Sequence, residues 1–299
     1  MKLPQSLSRE AKGERSFKLR FPTLHIYNLT DDCSHGDFMP AIDPLLISVS
    51  KIIASSKKGT EYHHATGFFY QHAEGLYLIT NRHVVIVEDD DYRPDELILR
   101  LHTNAGDIRE NAPYRIPLYD DTIQVWSEHP RGAEVDLVAI WLDVGIRSRF
   151  IINPFTMNDF APPSVEFPIG QDLIVMGYPK GYHDQFNNFP LVRNALVSSV
   201  YGLNFNRKPY FLIDSHLHEG TSGSPVLTTP SNMTHGSDGS LMISGVQRRF
   251  LIGVNSATVD VEKTEEGDES EDKYEDPLGL SAVWYARLIP EIITQCEMG

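Results

Sequence analysis

The stretch Leu76-Tyr77-Leu78-Ile79-Thr80-Asn81-Arg82-His83-Val84-Val85 is the part of the sequence from which the fold class follows. Its first five residues predict a buried β-strand that ends at Thr80 and places His83 at its edge. Further short runs share this character, being rich in β-branched and aromatic residues and bounded by Gly, Pro, Asn or Asp. They cover residues 45–49, 66–70, 96–101, 137–142, 173–176, 210–213 and 251–254. Many short strands separated by turns are typical of an all-β architecture, a sandwich or barrels.

Length and composition limit the classes of protein that the chain can belong to. With 299 residues, 41% of them hydrophobic, it is long enough for one large domain or two fused halves. Its ordinary content of charged residues, 22%, argues against disorder throughout. The net charge of −15 makes nucleic acid an unexpected partner, because a phosphate backbone binds cations. The longest apolar run, residues 137–142, is too short to span a membrane, so no membrane association is expected.

The N-terminal sequence and the cysteines bear on the compartment. No apolar stretch of the kind found in a secretory signal peptide follows the basic residues at the start of the chain. Cys33 and Cys296 lie near opposite ends and form no spacing motif, so we expect free thiols in a reducing environment. The sequence therefore predicts a cytoplasmic protein, and whether the chain is a processed fragment stays open.

Acidic residues concentrate in two runs, at residues 88–91 and 260–276. Runs of like charge are typical of solvated loops, and this is the interpretation we favour. A calcium-binding or regulatory loop is the alternative. Calcium is disfavoured because the second run lacks the ligand spacing and the glycine of an EF-hand loop.

Three separate segments carry residues suited to acyl transfer, residues 76–85, 134–142 and 220–227. Taken singly, they predict a histidine near a core, an aspartate that caps a strand and a Ser/Gly turn. Taken together, His83, Asp136 and Ser222 supply a base, a carboxylate that orients the base and a nucleophile. Gly220, two residues before the serine, has no Cβ, so its amide is free to turn toward a developing oxyanion.

Jointly these segments resemble the trypsin-like serine peptidases, and among them the intracellular and bacterial HtrA-type and glutamyl-endopeptidase-like members. The similar elements are residues 66–69 with 78–85, 135–139, 177–179, 220–227 and 251–256, and the resemblance covers about residues 42 to 295. It implies an all-β fold of two perpendicular six-stranded Greek-key β-barrels with a C-terminal helix and an active site in the cleft between the barrels.

With the residue pattern, the resemblance divides the chain into five parts. They are an N-terminal extension at 1–41, a first barrel at 42–153 with His83 and Asp136, a proline-rich linker at 154–170, a second barrel at 171–286 with Ser222 and the acidic loop 260–276, and a C-terminal helix at 287–299. Ser222 would attack the scissile carbonyl while His83 takes its proton and Asp136 holds His83 in the right tautomer. The amides of Gly220 and Ser222 would form the oxyanion hole.

The chain departs from the secreted digestive enzymes of this family at Thr221, where they have an aspartate. Threonine cannot pair with a new N-terminal ammonium, so we expect no activation by that route. By spacing, His216 would lie at the base of the substrate pocket, with Ser256 and Ala257 on its wall. An imidazole-lined pocket that favours an acidic residue before the scissile bond is one hypothesis, and a surface or structural histidine pair with His218 is the other.

The sequence predicts neither a metal nor a cofactor. His216 and His218, or His63 and His64 with His72, lack a fourth ligand at a spacing that suits zinc. We expect an intracellular serine endopeptidase that acts on proteins or peptides through an acyl-enzyme. The alternatives are a catalytically silent or latent scaffold of the same fold that binds a partner protein, and an esterase that uses the same triad. An intracellular protease needs restraint, which leaves room for a regulatory partner protein.

Overall fold

The computed structural model describes residues 42–55, 62–86, 93–260 and 277–296. The predicted N-terminal extension at 1–41, with Cys33, lies outside the described residues. So do the acidic run at 88–91 and all but the first residue of the predicted acidic loop at 260–276.

Strands are the main regular secondary structure of the described chain. They are β1 (Val49–Ser55), β2 (Tyr62–His72), β3 (Gly75–Thr80), β4 (Glu96–His102), β5 (Asn111–Pro117), β6 (Tyr119–Asp120), β7 (Ile123–Gln124), β8 (Trp126–Glu128), β9 (Val138–Leu142), β10 (Val165–Glu166), β11 (Asp172–Gly177), β12 (Leu191–Val197), β13 (Tyr210–Asp214), β14 (Pro225–Thr228), β15 (Ser231–Gly236), β16 (Leu241–Arg248), β17 (Leu251–Asp260) and β18 (Pro277–Tyr285). One α-helix, α1 (Leu288–Cys296), follows the last strand. Short 3-10 turns occur at Pro44–Ile47, Arg82–Val84, Gly132–Glu134, Val144–Ser148, Met157–Asp159 and Pro179–Gly181.

The first half of the chain forms a seven-stranded antiparallel sheet in the order β5-β4-β1-β2-β3-β9-β8. The sheet curls around one apolar core to which β5 contributes Ile116, β1 contributes Ile52 and β8 contributes Trp126. A six-stranded barrel was expected here. The sheet instead has seven strands and is not closed into a barrel, and its edge strand β8 has only three residues, too few to give a visible alternating pattern in the sequence.

The second half forms a closed six-stranded barrel in the order β11-β12-β13-β18-β17-β14. Its neighbouring strands pair antiparallel, and its interior is filled by buried residues such as Val175, Phe211, Val226 and Val254. The expected all-β fold with two barrel-like halves and a C-terminal helix is therefore confirmed. Two small sheets, β10-β15-β16 and β6-β7, lie outside the two main ones.

Most of the apolar runs in the sequence coincide with strands, and residues 45–49 are the exception. There the chain forms the 3-10 turn Pro44–Ile47, and β1 begins only at Val49. The reason is local: the Asp43 carboxylate accepts a hydrogen bond from Leu45 N at 3.1 Å, and Pro44 has a backbone angle suited to a first helical turn. The short turn that the sequence suggested after His83 is the 3-10 turn Arg82–Val84, which includes His83 itself.

One hydrophobic cluster joins the two halves. It contains Phe68, Ile79 and Leu137 from the first sheet region together with residues of the closed barrel such as Val175 and Val254. In particular, β1 and β2 pack directly against β11 of the second barrel. Within the described ranges, no helix has the length and apolar character needed to cross a membrane.

Candidate active site

His83 and Asp136 are joined by two hydrogen bonds. His83 Nδ1 lies 2.7 Å from Asp136 Oδ2, and the backbone amide of His83 donates to Asp136 Oδ1 at 2.9 Å. The 3-10 turn that follows β3 carries the histidine, and the segment that leads into β9 carries the aspartate. β3 and β9 pair directly, so the sheet itself brings the two side chains together. The His83 side chain is 41% exposed, which leaves the other edge of its ring accessible.

A buried asparagine and a serine hold the aspartate in place. Asn81, which is fully buried, donates from its side chain to the backbone carbonyl of Asp136 at 2.7 Å. The hydroxyl of Ser256, on β17, donates to Asp136 Oδ2 at 2.6 Å. Asp136 Oδ2 thus accepts from both the imidazole and a hydroxyl, which together fix the orientation of the carboxylate. No sequence pattern indicated this role for Ser256, which lies 120 residues from Asp136.

Ser222 lies in the loop between β13 and β14, next to these groups. Its hydroxyl donates to the backbone carbonyl of Ser256 at 3.4 Å, and Ser256 in turn contacts Asp136. Among the described residues, no hydrogen bond joins Ser222 Oγ to the ring of His83. Hydrogen bonds between a nucleophile and its base are often long in ligand-free structures and tighten when substrate binds. The structure thus places all three predicted residues at the junction of the two halves.

The loop that carries Ser222 contains two backbone amides that are not used within the protein. The carbonyl of Glu219 accepts from the amide of Lys180 at 2.5 Å, and because a trans peptide is planar, the amide of Gly220 points the opposite way. Gly220 has φ +87°, a conformation that favours glycine. In the described part of the chain, the amides of Gly220 and Ser222 donate to no protein acceptor. Such free, fixed amides are the usual components of an oxyanion hole.

Thr66, on β2, ties this loop to the first sheet. Its hydroxyl donates to the carbonyl of Gly220 at 2.7 Å and accepts from the amide of Tyr178 at 3.1 Å. Its own amide donates to the carbonyl of Ser222 at 2.9 Å. Thr66 is fully buried, so these bonds are shielded from water. The sequence placed Thr66 at the start of a strand and did not indicate that it positions the serine loop.

Close backbone contact with the first sheet explains Gly223. Its φ is +82°, and a Cβ at this position would collide with the carbonyl oxygen of Thr66 and with Thr80 Oγ1. On the other side of the loop, the Thr221 hydroxyl donates to the carbonyl of His218 at 2.7 Å, and the side-chain amide of Asn255 donates to the carbonyl of Thr221 at 3.0 Å. The loop is therefore held from both halves of the molecule.

Some of the residues expected in the substrate pocket form hydrogen bonds within the protein. His216 and His218 are both exposed, and their backbone carbonyls accept hydrogen bonds, His216 from Arg193 Nη2 at 2.9 Å. A Cβ built on Gly279 would lie 3.5 Å from the ring of His216. Because the Ser256 hydroxyl is bound to Asp136, only its backbone remains available to line a pocket. Ala257 belongs to β17. The assignment of these residues to a substrate pocket stays a prediction.

The described residues contain no group of three or more His, Cys, Asp or Glu side chains that could hold a metal ion. Burial raises the pKa of Tyr178, whose backbone amide donates to Thr66. The chemistry that the site offers is thus that of an alcohol, an imidazole, a carboxylate and two backbone amides.

The comparisons with known proteins give one family. The model of the trypsin-like peptidase domain matches residues 65–233, which is more than half of the chain. This match includes His83, Asp136 and Ser222. No curated protein sequence matches. The chain belongs to the trypsin-like peptidase family and is a serine endopeptidase, a hydrolase.

Several solved structures of proteases are similar in fold. A variant of the HtrA-type protease AlgW with a tripeptide is 16% identical, with a TM-score of 0.47 over 84% of this chain and 60% of that one. The thermostable serine protease AL20 from an extremophilic microorganism is 10% identical, with a TM-score of 0.48 over 86% and 100%. A protease from M. tuberculosis in its active form is 15% identical, with a TM-score of 0.44 over 89% and 93%. The chain thus spans only 60% of the length of the AlgW chain. Because these identities and TM-scores are low, membership in the family rests on the family model.

Proposed function

We propose that the protein cleaves peptide bonds in intracellular protein substrates through a Ser222–His83–Asp136 triad and an acyl-enzyme intermediate. The observation that carries this proposal is the geometry around Asp136. Its carboxylate accepts three hydrogen bonds, from His83 Nδ1 at 2.7 Å, His83 N at 2.9 Å and Ser256 Oγ at 2.6 Å. A carboxylate fixed in this way holds one tautomer of the imidazole and stabilises its cation.

In the proposed reaction, Ser222 Oγ attacks the carbonyl carbon and His83 takes the hydroxyl proton. The carbonyl oxygen becomes an oxyanion, which the amides of Gly220 and Ser222 would bind. His83 then gives the proton to the leaving amine, and the C–N bond breaks to leave an acyl-serine. Water attacks this ester with His83 again as the base, which releases the second product and restores Ser222.

The intracellular location in this proposal is supported by the cysteine content. The chain contains two cysteines, Cys33 and Cys296, and no spacing motif for a set of disulfides. A protease in this compartment would be held in check by a partner protein or a trigger, which we include in the proposal.

Hydrolysis of an unfolded protein tests the proposal. We expect the full-length chain to release peptides from casein, and Ser222→Ala and His83→Ala to release none above background. Circular dichroism of each variant is the control for folding. If the wild type cleaves neither casein nor a mixed peptide library while it is folded, the protein is instead a silent scaffold that binds its partner through the same cleft.

A further inference from the structure

One face of the seven-stranded sheet leads directly away from Ser222. The amide of Thr66, on β2, donates to the carbonyl of Ser222 at 2.9 Å. Two residues before Thr66, His64 pairs with Ile53 of β1, and Ile53 pairs in turn with Ile98 of β4. Residues that are directly opposed across strands, or two apart along one strand, share a face of the sheet. A continuous surface therefore runs from the serine loop across β2, β1 and β4.

This surface contains a cavity of about 330 Å³. The residues that line it include the cations Lys51 and Arg100, the apolar side chains of Ile53, Ile98 and Pro113, and neutral polar side chains such as that of Gln185. No acidic residue is among those that line it. In a chain with a net charge of −15, a cavity lined by cations without a carboxylate is a local reversal of the overall charge. We call this cavity the cationic groove.

The cations of the groove are left without acidic partners in the described part of the chain. Lys51 is half-buried and donates from Nζ to the carbonyl of Gly181 at 3.3 Å, and burial lowers the pKa of its ammonium group. Arg100 is exposed and contacts the Asn111 side chain. His183 Nδ1 lies 2.7 Å from the carbonyl of Gly181. The contacts of Lys51 and Arg100 are with neutral groups, so neither positive charge is neutralised.

The acidic residues nearest to the groove have other partners. Glu96, at the far end of the same sheet face, forms an ion pair with Arg115. Asp184, next to His183, accepts hydrogen bonds from the amides of Phe186 and Asn187 and from the Asn187 side chain. Among the described residues, neither carboxylate pairs with Lys51 or Arg100, so the charge of these two cations remains available to a ligand.

Gly181 lies between the groove and the loop that carries Ser222. A Cβ on Gly220 would lie 3.3 Å from the amide nitrogen of Gly181, and Gly181 is the residue whose carbonyl Lys51 contacts. From β2 to β4 the surface crosses two strand spacings, about 10 Å, which an extended chain covers in about three residues. Tyr182 and Phe186, each 69% exposed, flank this path, and exposed aromatic side chains are common at protein interfaces.

We infer that the cationic groove binds an acidic and apolar segment of the protein substrate, about three to five residues from the scissile bond. In this complex a substrate carboxylate pairs with Lys51 or Arg100, and an apolar substrate side chain lies on Ile53 and Ile98. This inference rests on the proposed function, since it assigns the groove to the chain that Ser222 cleaves. The substrate class is acidic protein segments, and the site that selects them is separate from the pocket expected at His216.

Cleavage profiling with a mixed peptide library tests the inference. We expect enrichment of Asp and Glu about three to five residues from the cleaved bond, always on the same side of it. Arg100→Glu should abolish the enrichment, and Arg100→Gln should lower kcat/KM for an acidic peptide by up to about fivefold. Lys208→Glu, which reverses an exposed charge on the loop between β12 and β13, is the matched control and should leave the profile unchanged. An unchanged profile in Arg100→Glu, or the same loss in Lys208→Glu, overturns the inference.

Binding to the Ser222→Ala chain separates this inference from the proposed function. A fluorescein-labelled peptide with a Glu-Leu-Glu core should bind more tightly than its Gln-Leu-Gln counterpart, and added salt should reduce the difference. Arg100→Glu in the same background should remove it. If the wild type cleaves nothing but this difference persists, the proposed function fails and the groove stands. If cleavage occurs while the two peptides bind equally, the groove fails alone.

Discussion

Replacement of Thr66 by valine removes one hydroxyl from the link between the sheet and the serine loop. The hydroxyl donates to the carbonyl of Gly220 at 2.7 Å and accepts from the amide of Tyr178 at 3.1 Å, and the residue is fully buried. Valine leaves both backbone groups without a partner, and each unsatisfied buried group costs about 1–3 kcal/mol. We therefore expect the free energy of unfolding to fall by about 2–6 kcal/mol.

The substitution should also lower kcat, because the Gly220 peptide that loses its hydrogen bond carries one amide of the oxyanion hole. If the displaced amides of the oxyanion hole stabilise the transition state by about 1–3 kcal/mol less, kcat falls by roughly five- to hundredfold. KM should change little, because the Thr66 hydroxyl contacts the loop and not the substrate.

Steady-state kinetics on a fluorogenic peptide, together with urea unfolding, measure both quantities. Thr66→Ser is the matched control, since serine keeps the hydroxyl and should keep most of kcat. A folded Thr66→Val chain with the kcat of Thr66→Ser would show that Thr66 does not position the loop.

Three further predictions concern the aspartate, its serine partner and the buried tyrosines. Asp136→Asn should lower kcat by about 10⁴-fold at neutral pH, because an amide favours the wrong imidazole tautomer; this is the loss known for the orienting aspartate of trypsin-like enzymes. A loss of tenfold or less in a peptide assay would contradict this role. Ser256→Ala removes a hydrogen bond to a carboxylate, worth about 1.5–3 kcal/mol, and should lower kcat/KM by about tenfold or more, whereas a neutral effect would mean that the bond is not needed. Burial raises the pKa of Tyr70 and Tyr201 to about 12, above the ordinary value of 10.0, so these groups stay protonated to higher pH in the folded chain than in the unfolded chain. Stability should therefore be intact below pH 10 and fall as the pH rises from 10 to 12, as followed by unfolding curves and phenolate absorbance; stability that is constant over this range would contradict the burial of these phenols.

The sequence was sufficient for the fold class because the strands carry their own pattern. Runs such as 76–80 and 251–254 are short, apolar and bounded by turn residues, and they are strands in the structure. The exceptions have local causes. Residues 45–49 include a turn fixed by Asp43 and Pro44, and the three-residue strand β8 has too few side chains to show alternation.

The site could be predicted only in part, because the contacts that support it link residues far apart in the chain. His83, Asp136 and Ser222 could be selected because their chemistry is distinctive. The hydroxyl of Thr66 reaches Gly220, 154 residues away, and that of Ser256 reaches Asp136, 120 residues away. Threonine and serine occur in every strand environment, so only the packing of the two halves assigns these two hydroxyls to the site. The same holds for the cationic groove, whose residues come from three strands and a loop.

Reaction with a fluorophosphonate is the most direct measurement of the central claim, that Ser222 is a nucleophile activated by His83. The probe should form one covalent adduct, which peptide mapping by mass spectrometry should locate on Ser222. His83→Ala and Asp136→Asn should slow the labelling, and Ser222→Ala should abolish it. An adduct on another residue, or equal labelling rates in the wild type and His83→Ala, would contradict the account.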